Sequence, residues 1–94
     1  MRVGICKIWL RVPESHSLKQ KRKVVKSIID RSKNRFNIAI AEVDALDAHQ
    51  QAVLGIVSVS NDPRHLDRIL SNVINFIEDT YLAELMDYEI EMLS

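Results

Sequence analysis

Three observations predict an α+β fold with the element order βαββαβ. Apolar residues alternate with polar ones at both ends of the chain, two stretches of helical periodicity begin at recognisable caps, and a hairpin-like pair of short apolar runs separates them. The opening run, Val3 to Val12, places Gly4, Cys6, Ile8, Leu10 and Val12 on one side and Ile5, Lys7, Trp9 and Arg11 on the other, which describes a strand with one buried face. Pro13 has no amide to give to a ladder and ends it, and Glu14 to His16 form a short connection.

Ser17 followed by Gln20 fits a capping box, in which the hydroxyl accepts an amide of the first turn and the Gln side chain reaches back. A helix then runs to about Phe36. Leu18, Val25, Ile28, Ile29 and Phe36 make its apolar stripe, and Lys19, Arg22, Lys23, Lys26 and Lys33 occupy an adjoining arc. Ile38 to Val43 reads as a second strand, Asp44 to His49 as a polar turn, and Gln51 to Ser60 as a third strand that closes a hairpin. Asn61-Asp62-Pro63 marks the second helix, since a capping side chain precedes a proline whose missing amide costs nothing at the first helical position. Leu66, Ile69, Leu70, Val73, Ile74 and Ile77 carry that helix to about Glu78. From about Asp87 onward Tyr88, Ile90 and Met92 alternate with Glu89 and Glu91 in a fourth strand. The natural solution for this order is a ferredoxin-like sandwich: a four-stranded antiparallel sheet, order 4-1-3-2, with both helices on one face. In that order Lys7 and Arg11 should face Glu89 and Glu91.

Ninety-four residues with 47% hydrophobic content make one domain, spanning 1–94, without a linker or repeat. The single cysteine, Cys6, cannot pair within the chain and suits a reducing compartment. Lys7 and Arg11 interrupt the first apolar run, so no signal peptide or membrane span is expected, and a cytoplasmic location is. No Gly-rich phosphate loop, CxxC pair or nucleophile elbow occurs, so neither an enzyme nor a cofactor is expected. Glu42, Asp44, Asp47 and His49 gather around the hairpin turn, but their spacing matches no metal signature, and Asp is favoured in turns because its side chain bonds the nearby backbone.

The charge distribution supplies the functional expectation. Residues 1–36 hold eleven Lys/Arg against Glu14 and Asp30, a net of +9, and the remainder holds eleven acids against Arg64 and Arg68, a net of −9. Lys19, Lys21, Arg22 and Lys23 crowd the positive end of a helix dipole, where cations are disfavoured by roughly 0.3–1 kcal/mol each. A phosphate-binding surface formed by Lys19, Lys21, Arg22, Lys23, Lys26 and Lys33 would give that placement a purpose. Lys21 falls inside the apolar stripe and must snorkel or meet an anion at the helix entrance, snorkelling being favoured. The partner this arc would suit is RNA or a ribosomal particle, and the alternative is a solvated helix face whose charges the acidic half balances. A second candidate surface is the sheet face opposite the helices, where Ile5, Trp9, Leu54 and Ile56, with Ala39 and Ala41, would form an apolar patch suited to a protein partner or a second copy. Val53, Val57 and Val59 occupy the other side of strand three, which is apolar on both sides.

The segments Ser17-Leu18-Lys19-Gln20-Lys21-Arg22, Asn34-Arg35-Phe36-Asn37, Ala41-Glu42-Val43-Asp44, Leu54-Gly55 and Val59-Ser60-Asn61-Asp62 together resemble the YlxP-like family of small bacterial proteins of unknown function, over nearly the whole chain. The resemblance implies a ferredoxin-like fold. It also implies a genomic neighbourhood shared with translation initiation factor two and ribosome-binding factor A, which points associatively toward ribosomes or RNA. It assigns no catalytic or binding residue. His49 stands where many relatives would carry a Trp.

Overall fold

A computed structural model describes residues 1–93. The elements are β1 (Arg2–Arg11), α1 (Leu18–Arg35), β2 (Ala39–Asp44), β3 (Gln51–Ser60), α2 (Pro63–Asp79) and β4 (Glu84–Leu93). The strands form one antiparallel sheet in the order β2-β3-β1-β4, the expected 4-1-3-2 order read from its other edge. Both helices start as their sequences predict. The Gln20 amide donates to Ser17 Oγ at 3.1 Å, while Gln20 Oε1 accepts the His16 amide, one residue before the cap. At α2 the Arg64 amide donates to Asp62 Oδ1 at 2.9 Å, and Pro63 opens the helix.

The core lies between the helices and one face of the sheet. Cys6, Ile8 and Leu10 of β1, Leu54 and Ile56 of β3 and Ile40 of β2 meet Val25 and Ile28 of α1 and Leu70, Val73 and Ile77 of α2. Gly4 allows α2 to approach β1: a Cβ there would lie 2.9 Å from Leu70 Cδ1 and 3.5 Å from Leu66 Cβ. Burial raises the Cys6 thiol above its ordinary range to about 11, because a thiolate has no water there to solvate it.

The faces of β3 correct one expectation. Ile8 pairs with Leu54 and Cys6 with Ile56, and directly opposed residues share a face, so Leu54 and Ile56 point into the core and are fully buried. They are not part of the open face. Val53, Gly55, Val57 and Val59 occupy it instead, beside Trp9, Lys7, Ile5 and Val3. Polarity along β3 could not decide this, and its pairing to β1 did.

Two bulges adjust the strand ends. One between Trp9 and Leu10 leaves Met86 unpaired and brings Glu84 opposite Arg11, with an ion pair at 3.5 Å; the expected Arg11–Glu91 pairing is not met because the antiparallel register puts Glu91 opposite Ile5. Lys7 does face Glu89. The other bulge lies between Glu42 and Asp44 and lets Val43 lie over Gly55. Among the described residues no helix is long and apolar enough to cross a membrane.

Candidate nucleic-acid interface

The cations of α1 divide by where helical periodicity sends them. Lys19, Arg22, Lys23, Lys26 and Lys33 are exposed, and at about 100° per residue they share an arc of about 100° extending roughly 20 Å along the axis. Lys26 Nζ pairs with Asp30 at 2.8 Å on the same helix, and that hydrogen bond and charge raise the Lys26 pKa. Among the described residues Lys19, Arg22, Lys23 and Lys33 form no ion pair. The first turn holds no acid, and Lys33 and Arg35 stand in the last turn. Arg35 lies 5.3 Å over the Phe76 ring and so ties α1 to α2.

Lys21 does not belong to that surface. Its side chain is 0% exposed, and Nζ donates to Glu42 Oε2 at 2.8 Å, the Ala45 carbonyl at 2.9 Å and the Leu46 carbonyl at 3.2 Å. All three ammonium donors are used. The anion at the helix entrance is thus a carboxylate of the chain itself, brought by β2, and neither the snorkelling nor the phosphate role expected for Lys21 is met. Of the turn acids, Glu42 is held by Lys21, and Asp44 Oδ1 accepts the Ala45 amide at 2.7 Å, where Ala45 turns through φ 56°. Both carboxylates are engaged in building the turn.

The charge split of the sequence is only partly a split across the molecule, since Lys21 meets Glu42 and Arg11 meets Glu84. α1 lies over β2 at one edge of the sheet, and the acidic β4 forms the other edge. The open face between them is mainly apolar. A hollow of about 540 Å³ is floored by Gly55 and walled by Ile5, Ala39, Ala41, Val43 and Val57. A smaller one of about 200 Å³ lies among Trp9, Val53 and Met86. Val43 is 52% and Val59 55% exposed, high values for aliphatic strand residues. Lys7 Nζ sits 5.1 Å from the Trp9 ring centroid, so the one aromatic of this face already carries a cation. The alternation around Gly55 was the signal in the sequence for this valine set, but it had no polar contrast behind it.

Fold and surface together define a small ferredoxin-like α+β protein with a basic helix, an apolar open sheet face and an acidic edge. The chain belongs to the family described as protein of unknown function (DUF503), whose model matches residues 3–90. It is 33% identical over 76 residues to the uncharacterized protein YlxP of Bacillus subtilis (strain 168), covering 81% of this chain and 83% of that one. Among solved structures it resembles a structural-genomics protein, YJCS, with a TM-score of 0.56, 7% identity and coverage of 98% and 99% of the two chains. It also resembles an antibiotic biosynthesis monooxygenase with a TM-score of 0.53, 12% identity and coverage of 100% and 97%. At such identities the likeness concerns the fold alone.

Proposed function

We propose that this chain is a non-enzymatic protein that binds RNA, free or in a ribosomal particle, through the exposed arc of α1. The observation that carries the reading is the set Lys19, Arg22, Lys23, Lys26 and Lys33 on one helix face, with Asp30 its only ion-pairing acid among the described residues. Of the acids of the later half, Glu42, Asp44 and Asp47 lie in or beside the turn beneath Lys21, Asp62, Asp67, Glu78 and Asp79 on α2 or its cap, and the remaining four along β4, and among the described residues none of them pairs with this arc. Contacts of this kind position a protein on a phosphate backbone without reading bases, so affinity is largely independent of sequence. Four or five phosphate contacts give a log-log salt slope of roughly −3 to −4.5. Charge reversal in Arg22→Glu/Lys26→Glu is expected to abolish co-sedimentation with ribosomal particles at low salt, and unchanged pelleting refutes the reading.

A second reading is self-association through the open sheet face that Trp9 shares, favoured by the uncovered apolar surface of Val43, Val57 and Val59 on that face. Light scattering on the parent and Trp9→Glu separates the two: a dimer that becomes a monomer supports it, and a monomer in both cases removes it.

A further inference from the structure

The β4 edge is a third surface, independent of the other two. β4 is ten residues long, and its outer side has no neighbouring strand in the sheet. Such an edge presents a row of amides and carbonyls that can pair with another chain, and proteins usually blunt it with charged side chains, Lys above all, with Pro, a bulge or a covering element. Here the bulge at Met86 affects only the start, and Asp87 to Leu93 stay in regular register with β1 and contain neither Lys nor Pro.

The two sides of this strand differ. On the open face Asp87, Glu89 and Glu91 form a row of carboxylates with no ion pair among the described residues. Glu89 faces Lys7, whose ammonium sits over Trp9. Asp87 accepts the Tyr88 amide at 2.8 Å. On the helix side α2 covers the centre of the sheet better than this edge, leaving Tyr88 51% exposed. A groove of about 530 Å³ opens there between α2 and β4, with Ile74, Leu85, Tyr88 and Ile90 in it and Asp67 and Glu78 at its rim.

We infer that the outer edge of β4 takes up an extended peptide strand of about seven residues in which basic and apolar side chains alternate. In antiparallel or parallel pairing, one set of its side chains lies beside Asp87, Glu89 and Glu91 and the other enters the groove. Opposite charges across a ladder stabilise and like charges oppose pairing. That rule disfavours antiparallel pairing with a second copy, which in one continuous sheet sets two rows of carboxylates side by side. The acids thus act as a filter, opposing antiparallel self-pairing and favouring a cationic strand.

The test uses a blocked seven-residue peptide alternating lysine and valine, with a glutamate-valine peptide as its counterpart, titrated into the isotope-labelled protein. The lysine peptide is expected to slow hydrogen exchange at outer-edge amides of β4, and N-methylation of its backbone on the pairing side to remove that protection. Glu89→Lys/Glu91→Lys should weaken it by at least about tenfold and confer binding on the glutamate peptide. Arg22→Glu/Lys26→Glu should leave it unchanged, so failure here is separable from failure of the RNA reading. Unchanged β4 exchange, equal binding of both peptides to the parent, or β4 amides already protected in a dimer without peptide would each overturn the inference.

Discussion

Replacing Lys21 by Met asks whether this lysine belongs to the binding surface or to the fold. The variant keeps an unbranched apolar stem in the space now filled by a side chain of 0% exposure and removes three charge-assisted hydrogen bonds. Bonds to a charged group contribute about 1.5–3 kcal/mol each, but the buried ammonium also gives up hydration in folding, a cost of several kcal/mol that Met does not carry. Glu42 is 14% exposed and recovers part of its hydration, whereas the Ala45 and Leu46 carbonyls lose their donor in a tight turn. The balance is a loss of about 2–4 kcal/mol. With an unfolding entropy of about 0.2 kcal/mol per degree for a chain of this length, that lowers Tm by roughly 10–20 °C. Thermal unfolding by circular dichroism measures it, and the loss should persist at high salt because a buried pair is little screened. Glu42→Gln, which keeps an acceptor, should cost less. Below its own Tm, Lys21→Met should pellet with ribosomal particles as the parent does. A stability loss under about 1 kcal/mol, or binding lost without stability, refutes the assignment of Lys21 to the fold.

Two glycines with similar close contacts should respond differently to alanine. Gly4→Ala drives a methyl to 2.9 Å from Leu70, which is fully buried and cannot move, and should cost about 1–3 kcal/mol. Gly55→Ala meets Val43 at the same distance, but Val43 is half exposed and can turn away, so the change should stay within about 0.5 kcal/mol; equal losses in urea titrations would refute this. Cys6 should resist alkylation by iodoacetamide near neutral pH and react at the rate at which the protein opens. Since folding raises its pKa to about 11, the folded state binds the proton more tightly, and stability present at neutral pH is lost as pH rises past the ordinary thiol range toward that value. Urea midpoints across that range should fall more steeply for the parent than for Cys6→Ala, and parallel profiles would contradict it.

The order of elements was legible because it rests on local patterns: alternation in β1 and β4, the Ser17–Gln20 and Asp62–Pro63 helix starts, and the apolar stripes of α1 and α2. The basic arc was legible for the same reason, since neighbours on one helix face are fixed by spacing along the chain. Lys21 was not, because its partner Glu42 is twenty-one residues away on another element. Leu54 and Ile56 were misplaced because strand faces follow from register, and a one-residue shift exchanges them without changing composition.

The sequence by itself determined the class of fold, the position of both helices and the separation of charge into a basic first half and an acidic second half, all properties of local spacing and composition. Tertiary structure alone decided which basic residue is buried against a carboxylate, which valines line the open face, and that the acids of β4 stand at an unpaired edge across the sheet from the basic helix. Those facts depend on which distant residues pairing and packing bring together, and the free energy of such contacts is not written in any single stretch of chain.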